Sequence, residues 1–585
     1  MPNILVSNDT ICLFFVVTSA FYTCHRFQND MTNAFDRAKQ HEMALALLVQ
    51  KEIKMPKTMP KSVIDIFIIG GGINGCGIAR DAAGRGLSVE LAEMNDLASA
   101  TSSASTKLLH GGLRYLEYFK LRLVREALIE RETLLKAMPH ISRPMRFVLP
   151  YHKDQRFETS TPSSRLLTKV MPWMRGRRPA WIIRFGLLLY DYLGSREILP
   201  RTSTIDLRTD VSGDALNDRF TKAFEYSDCW VDDSRLVVLN ARDAEIHGAK
   251  ICTRKKVVSA KRKKQLWHIL TEDKKTGAKS ETWARCLVNT AGPWAGDIIA
   301  DVINLEAGAG VRLVRGSHIV VKKLFDHDKS YFFQGEDGRI IFAIPYETNF
   351  TLIGTTDVDH HDMSVPPVCT PEEKNYLCKF ASKYFKKPIT ADDVVWSYSG
   401  VRPLYDDGAG SASAATRDYV LKYNDDAGAP VINVFGGKIT TYRKLAEHAL
   451  ALLPFTNSQA TKTWTCRSTL PGGDFGVTEI SQMISTLKAD HIFLDDLWAK
   501  RLIQTYGSEA KKVLKNTKNI TDLGQDFGAT LMELEVLWLM EHEFAQTAED
   551  VVWRRTKLGL LMDNEQILRL DEFMKTTNKS HSTFT

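Results

Sequence analysis

The strongest constraint on this chain is the stretch "VIDIFIIGGGINGCGIARDAAGRGLSVELAE", which starts at Val63. Residues Ile64–Ile69 have the length and β-branched content of a buried parallel strand. Gly70, Gly72 and Gly75 follow in the GxGxxG spacing. The first permits a tight turn, the second lets backbone N–H groups approach a pyrophosphate, and the third brings helix and strand together. Ala79, Ala82, Ala83 and Gly86 continue that close-packing face. Glu93 lies 18 residues past Gly75, where a carboxylate accepts hydrogen bonds from a ribose diol. Strand, glycine turn, helix, strand and acid together specify a dinucleotide-binding unit. The motif alone does not separate FAD from NAD.

The 585 residues leave room for about two to four domains, and 44% hydrophobic with 25% charged residues is the composition of a folded globular protein. A net charge of +7 is mildly basic. It suits an anionic small substrate or a membrane surface as well as nucleic acid, and decides nothing by itself; no nucleic-acid partner is expected. The nine cysteines stand singly, with neither CxxC nor zinc spacing. They read as reduced thiols of an intracellular enzyme, and no metal is expected. No internal repeat is visible. Ahead of the glycine motif, the apolar run "ICLFFVVTSAFYTC" (11–24) is short for a membrane span and has no lysine or arginine before it. "AKQHEMALALLVQKEIK" reads as a short amphipathic helix. Residues 1–60 are therefore expected to be an accessory extension, or an over-long reading of a start at Met55 or Met59; a membrane anchor is the rival reading.

Two later segments look able to return the chain to the nucleotide. "WARCLVNTAGPWA" (283–295) is an apolar strand ending in small residues. "VINVFGG" is a β-branched strand followed by Gly436, Gly437 and a helix. Such a turn aims free N–H groups and a positive dipole end at an anion. From "LPGGD" (470–474) onward helical periodicity dominates, with no catalytic constellation.

After Glu93, "NDLASATSSASTKLLHGGLRYLE" resembles FAD-dependent glycerol-3-phosphate dehydrogenases, the respiratory flavoenzymes of glycerol catabolism. The resemblance extends through "FEYSDCWVDDSRLV" (224–237), "GPWAGD" (292–297), "RGSHIVV" (315–321), "IGTTD" (353–357), "YSGVRPL" (398–404), "TRDYVL" (416–421) and "FGGKITTYRKLAEHAL" (435–450). It implies an α/β (overall α+β) architecture. A Rossmann-like FAD-binding domain of D-amino-acid-oxidase type, discontinuous in sequence, interleaves with an antiparallel-sheet substrate domain over 61–465. An α-helical cap domain follows over 466–585.

The resemblance also implies the reaction: oxidation of the C2 hydroxyl of sn-glycerol 3-phosphate to dihydroxyacetone phosphate, with electrons passing through FAD to a membrane quinone. Phosphate recognition favours forked cations, so Arg114, Arg402 and Arg417 are assigned to the substrate pocket, with Tyr115 beside them. Lys438, which with Thr440 and Thr441 opens the helix under the flavin, could serve substrate or cofactor. His318 is favoured as the base, because a histidine titrates near working pH, with Arg402 or Lys438 stabilising the alkoxide. His110 is expected to shape the flavin site, and either histidine could instead be a satisfied core residue. Ser105 and Lys107 are expected toward the FAD phosphates. His110, Gly111 and Gly112 are expected beside the isoalloxazine, with Gly292, Gly436 and Gly437 completing the cofactor site.

A quinone acceptor implies peripheral membrane contact. Two segments, 165–194 and 374–387, mix basic residues with aromatic and aliphatic ones and read as interfacial. Part of residues 152–177 is an insertion relative to the compact bacterial pattern. No EF-hand pattern occurs near the C-terminus, which points to the bacterial type at the cytoplasmic face of the inner membrane rather than the calcium-regulated mitochondrial branch. A homodimer is left open. The rival functions are a glycerol-phosphate oxidase that gives hydrogen peroxide, an amine or amino-acid oxidase of the same fold, and a flavin-bound scaffold without turnover.

Overall fold

The structure is a computed structural model that describes residues 62–156, 161–171, 176, 178–194, 196–305, 310–335, 338–406, 418–426, 428–454 and 462–582. The chain divides into Met1–Met59 and Pro60–Thr585, and every described residue belongs to the second unit. The N-terminal extension and Arg417 lie outside the described residues.

Strand β1 (Ile64–Ile69) leads into helix α1 (Ile73–Gly84) and strand β2 (Val89–Ala92). The short β3 (Leu108–Leu109), helix α2 (Leu121–Ala137) and β4 (Ser142–Tyr151) follow. Helices α3 (Pro162–Val170) and α4 (Ala180–Leu193) precede β5 (Ser203–Asp206), β6 (Lys222–Val231) and helix α5 (Asp233–Ile246). Next come β7 (Lys250–Cys252), β8 (Lys255–Lys263), β9 (Leu266–Asp273) and β10 (Lys279–Asn289). The middle of the chain supplies β11 (Val311–Lys322), β12 (Ser330–Gln334), β13 (Ile340–Tyr346), β14 (Phe350–Gly354) and β15 (Val358–Asp359). Helix α6 (Pro371–Ser382) and β16 (Val394–Tyr405) end that stretch, and β17 (Val420–Asn424), β18 (Val431–Phe435) and α7 (Tyr442–Ala451) return to the first sheet.

The first sheet runs β17-β18-β10-β1-β2-β7, with the β8–β9 hairpin attached at β10. Its centre is parallel: Ile64 of β1 faces Ala284 of β10, and Leu287 of β10 faces Val431 of β18. Ile66, Phe67 and Ile68 are wholly buried on both faces of β1, which is why that strand reads as an unbroken apolar run. Helix α1 packs against α5 and α7 on one face. The small residues of α1 allow this, and a Cβ at Gly77 would stand 2.6 Å from the Tyr442 ring.

The second sheet has the order β15-β11-β14-β13-β12-β4-β6-β3, with β16 on β11 and β5 on β6. It is largely antiparallel, the β12–β4 pair being parallel. After residue 462 the described chain is mainly helical and builds its own core from residues such as Trp498, Leu502, Val536, Leu539, Leu570 and Met574. Buried ion pairs fasten this part to the first sheet. Asp96 receives Arg554 Nε at 2.5 Å and the Arg555 guanidinium at 2.7 and 2.8 Å, and Asp550 pairs with Arg254 at 2.8 Å.

The two basic-aromatic segments part company. In 374–387 the apolar residues Leu377, Phe380 and Tyr384 are buried in the second sheet's core, so the interfacial reading of that segment does not hold; Lys379 on the helix and Lys383, Lys386 and Lys387 just past its end are exposed. In 165–194 several apolar residues are not buried. Trp181, Phe185, Leu188 and Tyr192 form one stripe on α4 that stays 37–73% exposed, and Leu166, Val170 and Phe119 are also exposed. No helix among the described residues is long and apolar enough to cross a membrane.

Candidate flavin and substrate site

The cradle begins where β1 meets α1. Gly70 has φ +106°, and a Cβ there would lie 2.7 Å from the Thr290 carbonyl oxygen. A Cβ on Gly75 would lie 2.0 Å from the Gly70 oxygen, a contact that only glycine avoids. Gly72 is the extended residue that starts α1, with no side-chain cap. Glu93, just past β2, accepts from the Gly71 N–H at 2.7 Å and the Asn95 N–H at 2.8 Å. Its carboxyl is pushed up by burial, against those two hydrogen bonds.

The second and third passes close over this turn. Thr290, at the end of β10, donates to the carbonyls of Ile69 and Gly70 at 2.8 and 3.1 Å, and Gly292 follows at φ +57°. Beyond β18, Gly436 and Gly437 have φ +66° and +96°, and Asn74 of α1 donates to the Gly436 carbonyl at 3.2 Å. A short 3-10 turn, Ile439–Thr441, intervenes before α7. Its Thr440 hydroxyl accepts from the His110 N–H at 3.2 Å, so the glycine pair and the 105–112 stretch form adjoining walls. The Gly111 N–H donates to the Tyr190 hydroxyl at 2.8 Å. That hydroxyl in turn donates to Asp228 at 2.9 Å, and Asp228 pairs with Arg131 at 2.6 Å. A Cβ on Gly111 would stand 2.6 Å from Leu128 and 2.8 Å from Tyr190.

Cationic and titratable groups stand in two places, beside Gly112 and on the paired strands β11 and β16. Gly112, at φ +77°, turns the chain so that Tyr115 packs over it, and the Lys438 ammonium lies 3.8 Å from the Tyr115 ring centroid. The Arg114 guanidinium sits 5.9 Å from the Tyr118 ring. Arg402 lies over Gly316, where a Cβ would come within 2.4 Å of its guanidinium. It donates to Asp357 at 2.8 Å and Thr355 at 3.2 Å. The His318 ring is sandwiched between the Gly354 backbone and the Tyr398 ring, which stacks at 4.8 Å and 12°. Its Nε2 is 2.9 Å from Thr106 Oγ1. Burial, then Arg402 and Lys107, hold its pKa well below the usual histidine value, so the imidazole is neutral near pH 7.

Two residues expected toward the FAD phosphates, Ser105 and Lys107, have partners within the protein. The Lys107 ammonium is buried and donates to Asp233 at 2.7 Å and to the Ser103 carbonyl at 3.1 Å. The Ser105 hydroxyl donates to Asp233 at 2.7 Å. Both side chains turn to Asp233, which supplies the counter-charge that a buried ammonium needs. Sequence reasoning missed Thr106, Tyr190, Asp228, Asp357 and Asp233. The acid pair in "WVDDSR" was the available signal, and it reads as a helix cap.

The described residues fit FAD. Three strand ends from distant stretches meet where added Cβ atoms would collide at Gly70 and Gly75, and the positive-φ pair Gly436–Gly437 faces the same turn. Residues 65–443 match the family described as FAD dependent oxidoreductase, and residues 463–580 match the C-terminal domain of alpha-glycerophosphate oxidase. The chain belongs to the FAD-dependent oxidoreductase family. Within that family it is similar to bacterial dehydrogenases of polyol phosphates. D-erythritol 1-phosphate dehydrogenase of Brucella abortus is 47% identical over 88% of this chain and 98% of that protein. Aerobic glycerol-3-phosphate dehydrogenase of Escherichia coli is 44% identical over 87% of this chain and 97% of that protein. The crystal structure of glycerol-3-phosphate dehydrogenase from Bacillus halodurans complexed with FAD superposes with a TM-score of 0.63 at 25% identity, covering 88% and 95% of the two chains. FAD is the cofactor, and the chain is an oxidoreductase of the D-amino-acid-oxidase fold with a helical C-terminal domain.

Proposed function

We propose that this oxidoreductase converts sn-glycerol 3-phosphate to dihydroxyacetone phosphate and passes the electrons to a membrane quinone. The observation that supports the reading is the buried, neutral His318 with the Arg402 guanidinium acting on it, to which the Lys438 ammonium over the Tyr115 ring beside Arg114 adds cationic charge. When bound, FAD supplies the two-electron chemistry that side chains lack. The arginines and Lys438 bind and orient a phosphate monoester and offset alkoxide charge. With the Nε2–H donated to Thr106, the unpartnered Nδ1 of His318 holds the lone pair that takes the hydroxyl proton. The alternative tautomer would take it at Nε2 and break the bond to Thr106.

Membrane contact is assigned to the α4 stripe, with Arg165 and Lys169 of α3 exposed beside it. Aromatic and aliphatic bodies with basic neighbours suit an anionic bilayer surface, which supports a peripheral location at the cytoplasmic face.

A second substrate reading, D-erythritol 1-phosphate, is favoured by the Brucella relative at 47% identity. It keeps the phosphate and adds one hydroxymethine carbon. The test is anaerobic reduction of the purified flavoprotein by each phosphate, followed by reoxidation with a quinone or with oxygen. Bleaching by glycerol 3-phosphate and faster turnover with quinone support the proposal. Bleaching by the four-carbon phosphate alone moves the substrate to the second reading, and faster reoxidation by oxygen makes the protein an oxidase.

A further inference from the structure

The turn "WVDDSR" (Trp230–Arg235) joins β6 to α5 and has no place in the cradle or the substrate cluster. We infer that this turn positions the site: Asp233 fixes Ser105 and Lys107 so that Thr106 meets the His318 ring, while Asp232 and Arg235 fasten the same turn to the C-terminal domain.

The Asp233 side chain is fully buried and each of its oxygens has two donors. Oδ1 accepts from Lys107 Nζ at 2.7 Å and the Ser234 N–H at 2.9 Å. Oδ2 accepts from the Ser105 N–H at 3.1 Å and its hydroxyl at 2.7 Å. The segment is held from its other sides as well. Tyr398, the residue stacked on His318, donates its hydroxyl to the Ser105 carbonyl at 2.7 Å. The Val231 N–H donates to the Lys107 carbonyl at 2.9 Å, and Lys107 itself sits at φ +59°, a conformation uncommon outside glycine that its surroundings must enforce. Thr106 is the residue between these two anchors, and its hydroxyl meets His318 Nε2 at 2.9 Å.

On the other side, Asp232 receives Lys557 Nζ at 3.1 and 3.3 Å. The Arg235 guanidinium pairs with both oxygens of Glu543 and donates to the Thr505 carbonyl at 3.0 Å. Buried ion pairs are weak evidence of stability, since well-packed apolar residues often replace them without loss, and fixing a register is their best-attested use. Here the register is that of the loop beside the base. Asp233 touches neither substrate nor flavin in this assignment and acts through Thr106, so it is a positioning residue.

The inference rests on the base role proposed for His318, and four variants separate the two: Asp233→Asn, Ser105→Ala, Thr106→Val and His318→Asn. Asp233→Asn is expected to slow anaerobic flavin reduction by at least about tenfold, with the substrate half-saturation within about twofold of wild type. Ser105→Ala, which keeps the Lys107 ion pair and so preserves the fold, is expected to slow it by about threefold or more with the same split. Amide hydrogen exchange of residues 103–107, read on the resting protein, is expected to quicken in both. The Asp233→Asn/Thr106→Val double variant is expected to be no slower than the worse single one, because both lie on one path. Additive losses, or wild-type rate and exchange in Ser105→Ala, overturn the inference even if Asp233→Asn does not fold. If His318→Asn alone is inactive while the Asp233 and Ser105 variants are normal, only the positioning role falls. If His318→Asn reduces flavin normally, the base assignment falls with the Thr106 step. Quickened exchange in Ser105→Ala would then still support the hold of Asp233 on the loop.

Discussion

Tyr190 offers a sharp test of how the flavin wall is held. It is fully buried, and the substitution Tyr190→Phe removes one oxygen while keeping the edge-on packing against Tyr226, whose ring centroid is 5.8 Å away at 88°. That oxygen accepts from the Gly111 N–H at 2.8 Å and donates to Asp228 at 2.9 Å. The variant leaves a buried N–H without its acceptor, at about 1–3 kcal/mol, and takes from a buried carboxylate a hydrogen bond worth about 1.5–3 kcal/mol. Arg131 still pairs with Asp228 at 2.6 Å, so part of the second cost is recovered and a total of about 2–4 kcal/mol is expected. Because Gly111 is the residue that loses its tether, much of this should fall on the cofactor. A share of about 2 kcal/mol weakens FAD binding roughly thirtyfold. The assay is FAD titration of the apoprotein by flavin fluorescence quenching, paired with urea unfolding of the same sample. Affinity within about twofold of wild type and stability within about 0.5 kcal/mol would refute the tethering argument.

Further expectations follow from the same geometry. Gly75→Ala puts a methyl 2.0 Å from the Gly70 oxygen, and a clash of about 3 kcal/mol lowers FAD affinity at least about a hundredfold; purified protein with full flavin content would contradict it. His140, buried and held down to about 3 from 6.5 by burial, then Arg235 and Arg242, stays neutral in the fold but takes a proton when unfolded. Its contribution is therefore fully present above pH 6.5 and is lost as pH falls toward 3, by about 2 kcal/mol at pH 5. Urea midpoints at pH 8 and pH 5 should therefore converge in His140→Gln relative to wild type, and equal pH dependence in both would count against the assignment. Replacing Trp181, Phe185 and Leu188 with glutamate is expected to reduce sedimentation with anionic vesicles at least about tenfold while flavin content stays unchanged. Undiminished sedimentation would remove the α4 stripe as the docking face.

The local parts of the fold were legible because their signals are local. The glycine spacing, the apolar run of β1 and the acid after β2 are all read within about thirty residues, and "VINVFGG" and "WARCLVNTAGPWA" both proved to be strands of the same sheet. Side-chain direction in irregular backbone was not legible. Lys107 and Ser105 sit in a loop without period, so nothing in the sequence shows that they turn toward Asp233 more than a hundred residues away. Nor does periodicity say what covers an apolar face: α6 and α4 carry similar mixtures, yet one packs inward and the other keeps Trp181 and Tyr192 in solvent. The motif assigns Arg402 to the substrate pocket, but its partner Asp357 is a tertiary contact that the motif does not announce.

The interleaving of the cradle also has a consequence for synthesis. Its three parallel strands β1, β10 and β18 are joined by the registers Ile64↔Ala284 and Leu287↔Val431, so the cofactor wall cannot close until the ribosome has released Gly436, Gly437 and Thr440. Until then, strand edges that FAD-domain pairing will cover remain open on a nascent chain of more than about four hundred residues. Flavin uptake is thus a late event, and chains arrested before Val431 should emerge without cofactor, dependent on chaperones and marked for proteolysis.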